Sequence, residues 1–170
     1  MESTPARQAF QLTIARATSV QILQHLDACS AQFRPPLADR VDLPTYAEKL
    51  FDQSVTFEAW CGNVLAGLVA CYVNEQTQPA SAFVSNVSVL AENRSQGIAR
   101  RLMILCHDEV KRRGVQVISL EVSSDNTPAI RLYTQLGYIK MTNDGGKLGM
   151  QLSFGRKMTV GEAASLSMPG

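Results

Sequence analysis

The 170-residue chain is 45% hydrophobic and 18% charged, a globular rather than disordered balance, and its length suits one domain with a full core. Sixteen Lys and Arg against 15 Asp and Glu leave a net charge of +1, so no global field draws nucleic acid or an anionic membrane, and a charged partner must be met by a local patch. No apolar run approaches the roughly 18 residues of a membrane-spanning helix, and the polar opening MESTPARQAF carries no export signature, so a cytoplasmic protein is expected.

Residues 10–15 alternate loosely and read as a first strand. Thr18 or Ser19 caps a helix running to about residue 31. The proline-broken FRPPLADRVDLP crosses the surface, and Thr45 caps a short helix over 46–51. Three β-rich runs follow: VTFEAW, LAGLVACYV and the stretch 81–90, the first two joined by a Cys61-Gly62-Asn63 turn. Gly97 opens a helix to about residue 113, with Ile98, Leu102, Leu105, Cys106 and Val110 on one stripe and Gly114 placed to stop it. Residues 115–122 form a compact apolar strand. Thr127 and Pro128 start a helix that ends near Gly137. Strands over 138–141 and 148–158 close the domain, and 159–170 reads as a disordered tail. The expectation is a single α+β domain over 1–158, an antiparallel half followed by a strand–helix–strand–helix half.

Cys29, Cys61, Cys71 and Cys106 are widely spaced, with no CxxC pair and only His25 and His107 beside them, so no metal site is expected. Each cysteine lies in an apolar segment and reads as a reduced, packed thiol. A cysteine nucleophile is the weaker reading, since no histidine is placed by motif to activate one. Both histidines read as structural, and Lys111, Arg112 and Arg113 complement a helix C-terminus.

The chemistry-bearing stretch is NRSQGIARRL, residues 93–102. A strand, a polar turn, a small-residue loop and a helix make an anion seat: the first helical N–H groups lack partners, and the helix dipole favours negative charge. Gly97 and Ala99 remove side-chain bulk, while Arg94 and Arg100 can add charge at the rim. A purely structural glycine at a helix start fits the same residues. Neither a P-loop nor a dinucleotide fingerprint is present.

With VSVLAENRSQGIARRL followed by ISLEVSSDNTPAIRLYTQLGY, the chain resembles the GCN5-related N-acetyltransferase superfamily over about a third of its length. The turn motif stands as Arg94-Ser95-Gln96-Gly97-Ile98-Ala99, and the later one as Glu121-Val122, Asn126, Ala129, Leu132-Tyr133 and Leu136-Gly137-Tyr138. Leu90-Ala91 stands where relatives often carry a proline, and Ala99 where many carry a glycine. The resemblance implies a mixed, mostly antiparallel sheet of six to seven strands, flanked by about four helices and splayed at an acyl-coenzyme A cleft. It implies acetyl-CoA, or another short acyl-CoA, as co-substrate and no metal. Val87, Ser88 and Val89 would pair with the pantetheine arm, and the amides of Gln96, Gly97, Ile98 and Ala99 would hold the diphosphate, with Ser95, Arg94 and Arg100 at the rim. Asn126 and Ala129 would meet the cofactor, and Tyr133 would lie beside its sulfur.

Acyl transfer to an amine then makes two proton demands. An alkylammonium with a pKa near 10.4 must lose a proton, and a departing thiolate needs a donor. Tyr133 is the candidate acid; Glu121 is the candidate base, directly or through water, with Glu58 as rival. The acceptor segment, PPLADRVDLPTYAEKLFDQSVTFEAW, resembles enzymes acting on nucleotide-linked amino sugars, with Arg34, Arg40, Tyr46 and Asn86 as candidate acceptor contacts. The alternatives are a protein N-terminus or lysine as acceptor, and a non-catalytic acyl-CoA-binding module. Relatives often pair through their C-terminal strands, so a homodimer is a further expectation.

Overall fold

The computed structural model describes residues 9–33 and 35–155. Arg34 and the tail expected over 159–170 lie outside the described residues. The elements are β1 (Gln11–Ile14), α1 (Ser19–Cys29), a 3-10 turn (Ser30–Gln32), α2 (Leu37–Arg40), α3 (Leu43–Gln53), β2 (Val55–Cys61), β3 (Val64–Asn74) and β4 (Ser81–Val89). A second 3-10 turn (Ala91–Asn93) leads to α4 (Ile98–Arg112), β5 (Val117–Ser123), α5 (Thr127–Gln135), β6 (Ile139–Asp144) and β7 (Lys147–Ser153). The seven strands form one sheet in the order β1-β2-β3-β4-β5-β7-β6. Only β4 and β5 run parallel within it; every other neighbouring pair is antiparallel.

Local chemistry accounts for most boundaries. The Thr18 hydroxyl accepts from Gln21 N–H while the Gln21 side chain accepts from Thr18 N–H, a reciprocal cap for α1. The cap of α3 is Asp42 rather than Thr45: its carboxylate accepts from both the backbone N–H and the hydroxyl of Thr45, and Pro44 fills the first turn. The last strand ends at Ser153, and the preceding connection is a tight hairpin through Gly145 and Gly146 rather than a loose loop.

Helices cover the sheet unequally. On one face α4 and α5 pack Ile98, Leu102, Met103, Cys106, Val110 and Tyr133 against Phe57, Val69, Val84, Ile118, Leu120 and Met150, which spans β2 to β7. On the other face α1 and α3 bring Ile22, Leu26, Ala47 and Leu50 onto Leu65, Leu68 and Ala70 of β3. That second layer does not extend over β5, β7 and β6. The sequence carries the difference: LAGLVAC of β3 is a continuous apolar run buried on both faces, whereas VISLEVS of β5 alternates buried and accessible. Gly67 sets how closely the first layer approaches, because a Cβ there would lie 2.6 Å from the Ile98 side chain at the start of α4.

Candidate active site

The sheet splits in its middle. β4 pairs with β5 from Ser81 opposite Val117 to Val84 opposite Leu120, and there the ladder stops. The cause lies one residue further on. Across β3, Cys71 pairs with Val84 and Ala70 with Asn86, so Ser85 is an extra residue, a bulge that bends its strand. It also reverses which residues face which layer. Val84 points into the α4 layer, while Asn86 and Ser88 are buried on the α1 side. Val87, Ser88 and Val89 keep β3 on one edge and, among the described residues, have no strand on the other.

This bare edge runs straight into the glycine turn. Ser95 (φ 63°) and Gly97 (φ 76°) are both left-handed, and α4 begins at Ile98. Side chains cap α1, α3 and α5, whereas the N-cap of α4 is Gly97, which has no side chain to offer its leading amides. Ser95, Gln96, Gly97 and Arg100 are exposed around them, and a Cβ on Gly97 would meet nothing within 4 Å. Arg94 is turned elsewhere: its guanidinium donates to the Gln32 side chain. Asn126 caps α5, its Oδ1 accepting from Ala129 N–H at 3.3 Å.

Tyr133 lies on α5 inside the α4/α5 layer, with its ring 5.8 Å from that of Tyr138. Burial pushes its phenol up to about 12, so the hydroxyl stays protonated at neutral pH. Glu121 is the first β5 residue beyond the last β4 pair and is exposed on the opposite face, between the inward-facing Leu120 and Val122. It lines a groove of about 250 Å³ together with Phe83, Ser119, Met141, Thr142 and Gln151. The two candidate acid–base groups thus lie on opposite faces of the sheet.

Glu58 occupies a different place. It is fully buried between β2 and the segment entering α1. Its carboxylate accepts from Thr13 Oγ1 (2.7 Å), Thr56 Oγ1 (2.6 Å), Arg16 N–H (2.9 Å) and Ala17 N–H (3.0 Å). A buried carboxylate with four donors holds two segments together and is sealed from a substrate.

Three of the acceptor candidates meet at the bulge of β4. The Tyr46 hydroxyl lies 2.8 Å from Ser85 Oγ and donates to Ser85 O at 3.3 Å. Asn86 is buried, its side-chain oxygen 2.8 Å from Ser88 Oγ. Arg40 is exposed, 6.0 Å over the Phe33 ring. Tyr46 also interacts with the Asn86 side chain and with the charge of Arg40, so these three lie around one place beside the Ser85 bulge.

Sequence reasoning missed the polar chain behind β4. Ser88 Oγ is 2.9 Å from His25 Nε2, and His25 Nδ1–H donates to Leu65 O at 2.8 Å. Cys29, one turn further along α1, puts Sγ 3.6 Å from the same Nε2. This Cys–His proximity does not make a nucleophile: burial pushes the Cys29 thiol up to about 11 and lowers the imidazole. The i, i+4 spacing of His25 and Cys29 was the available signal. Phe83 and Met141 were missed as well, although Phe83 breaks the alternation of its strand with a large apolar residue on the accessible side. Among the described residues no cluster of His, Cys, Asp and Glu could hold a metal, and no helix is long and apolar enough to cross a membrane.

Comparison with known proteins bears on this geometry. Residues 20–138 match the model of the acetyltransferase (GNAT) family. The mycothiol acetyltransferase of Catenulispora acidiphila is 32% identical over 101 residues, which are 58% of this chain and 32% of that protein. The [ribosomal protein bS18]-alanine N-acetyltransferase of Escherichia coli is 34% identical over 76 residues, 45% of this chain and 51% of that one. These matches therefore span a third to a half of the relatives' own length. Among solved structures, the PaiA N-acetyltransferase of Thermoplasma acidophilum in complex with coenzyme A superposes with a TM-score of 0.68 at 14% identity, covering 85% of this chain and 99% of that one.

Proposed function

Since this chain belongs to the acetyltransferase (GNAT) family, we propose that it is an N-acyltransferase that moves an acetyl or other short acyl group from acyl-CoA to a primary amine by direct attack. The observation that carries this reading is the parting of β4 from β5 after Val84 and Leu120, next to the uncapped start of α4. Both features suit one ligand: an amide-bearing arm lies along a bare strand edge, and a diphosphate lies on free helical amides.

The thioester supplies an activated acyl carbon. The chain's own residues do the rest. Gln96, Gly97, Ile98 and Ala99 present backbone N–H groups to the diphosphate, with Ser95 and Arg100 at its rim. Arg94, held by Gln32, fixes the turn instead. Val87, Ser88 and Val89 offer their open edge to the arm and an N–H to the acyl oxygen. Asn126 and Ala129 shape the start of α5 against the same ligand. Tyr133, protonated in its buried position, donates to the departing sulfur. Glu121, on the far face of the split, takes the proton of the incoming ammonium directly or through water. Glu58, buried and held by four donors, is less suited to that role than Glu121.

A nucleotide-linked amino sugar stays among the candidate acceptors, since a Tyr46 hydroxyl engaged by Ser85 leaves the ring face available to stack a base. The test is thiol release from acetyl-CoA over a panel of amines, run beside calorimetric titration of coenzyme A. Turnover with any amine supports the reading. Tight coenzyme A binding with no turnover on any amine would instead favour a non-catalytic acyl-CoA-binding module.

A further inference from the structure

We infer that the acceptor is the free N-terminus of a polypeptide whose first side chain is large and apolar. This rests on the acyl-transfer reading above and deepens it. The groove lies over β4, β5, β7 and β6, and Glu121 in it stands one residue past the last β4–β5 pair, on the face opposite Tyr133, so an amine held by that carboxylate approaches the acyl group from the other side of the sheet. Among the described residues that line it, Glu121 is the only charged one. With no Lys or Arg in the lining itself, that carboxylate favours an ammonium over a phosphate or a substrate carboxylate; the nearest cation by register, Lys147, stands one diagonal away opposite Ser123.

The walls determine what carries the ammonium. Phe83 is 39% exposed and Met141 55% exposed, large apolar side chains left to water on either side of the carboxylate. Met141 sits at an irregularity of the β6–β7 ladder between Lys140 and Thr142, and methionine adapts to varied apolar shapes. A groove of about 250 Å³ is smaller than the roughly 300–1,000 Å³ that encloses a drug-sized ligand. It therefore grips one end of something longer, and its open side lets the remainder run out past Ser119, Thr142 and Gln151, whose polar groups suit peptide amides. An apolar wall directly beside the ammonium site matches a side chain borne on the same carbon as the amine. A lysine ε-amine brings only its own methylene stem. The α-amino group, with a pKa of about 7.7–8.0, also surrenders its proton to a solvated base far more readily than a lysine near 10.4.

The experiment uses acetyl-CoA and a set of peptides identical except for a first residue of Met, Leu, Phe, Gly or Asp, an N-blocked peptide with one lysine, and a UDP-linked amino sugar. Thiol release gives kcat/KM, mass spectrometry locates the acetyl group, and the Met141 methyl signal reports peptide binding without turnover. Met-, Leu- and Phe-first peptides should exceed the Gly-first peptide by about tenfold or more in kcat/KM. Phe83→Ser should lower kcat/KM for the Leu-first peptide about tenfold, mainly through KM, with coenzyme A affinity retained. A flat ranking, or preference for the lysine peptide or the amino sugar, overturns the inference while leaving acyl transfer standing. Saturable Met141 shifts with the Leu-first peptide, but no thiol release from any amine, would keep the acceptor and sink acyl transfer. No shift and no turnover with apolar-first peptides overturns the acceptor.

Discussion

The hydroxyl of Tyr46 on α3 lies 2.8 Å from Ser85 Oγ, at the residue where β4 gains its bulge and leaves β5. A helix of the α1/α3 layer thus holds the point where the sheet opens. Tyr46→Phe should cost about 1 kcal/mol of stability and lower kcat by several-fold, because the backbone that receives the acyl group loses its tether. Urea unfolding and steady-state kinetics check both. Lost stability with unchanged kcat would show that the sheet alone shapes the bulge.

Two glutamates on similar strands should respond in opposite ways. Glu58→Gln turns one acceptor into an N–H donor among four donors in a sealed site, and should destabilise the fold by about 2–3 kcal/mol. Glu121→Gln sits in solvent and should leave the unfolding midpoint unchanged while turnover falls about 10²-fold or more. Thermal unfolding and kcat of the two variants, side by side, test the contrast. Full turnover in Glu121→Gln would leave water as the base.

Gly97→Glu should abolish coenzyme A binding in calorimetry. The new side chain would point into open space at the α4 start, so it meets no neighbour, and it brings negative charge and bulk to the anion seat. The left-handed φ of 76° adds a modest penalty of about 1 kcal/mol. Gly97→Ala carries that backbone penalty without the charge and should retain measurable affinity. Equal affinity in wild type and Gly97→Glu would place the diphosphate elsewhere.

Tyr133→Phe should lower kcat by about 10²-fold with coenzyme A affinity and stability intact. The pH profile carries the sign. The donor is the protonated phenol, and burial raises its pKa from 10 to about 12, so the acid form persists through the range where an ordinary tyrosine ionises. Turnover should therefore not decline around pH 10. A falling limb there that vanishes in Tyr133→Phe would mean an unshifted phenol.

Acid should weaken the fold through its histidines. Burial lowers His107 from 6.5 to about 4, with Lys111 adding to the effect, and lowers His25 as well. The folded state prefers both neutral, so their contribution is complete above pH 6.5 and is lost as pH falls toward 4. The Tm should drop over that window, and His107→Gln, which cannot titrate, should flatten the drop. An identical slope in wild type and variant would assign the acid lability to other groups.

The sequence alone was enough to determine the elements, the family resemblance and the anion-seat turn, because each is written in local terms. Strand alternation, helix stripes, the Thr18 cap and the Gly97 turn depend on residues within a few positions of one another. What depended on distant pairing stayed hidden. TFEAW and SLEVS each place a glutamate on an alternating strand, and nothing local separates them. Glu58 is sealed because the chain entering α1 folds over its face, whereas Glu121 is open because the α1/α3 layer ends before β5. Tyr46 and Asn86 are likewise distant in sequence, and it is at the Ser85 bulge that the fold brings them together, the Tyr46 hydroxyl on Ser85 and the Asn86 side chain beside Ser88. Which residue is extra in a ladder is set by the register of two strands against their neighbours. That register comes from burying whole faces at once, so the split that makes the site is a property of the assembled sheet.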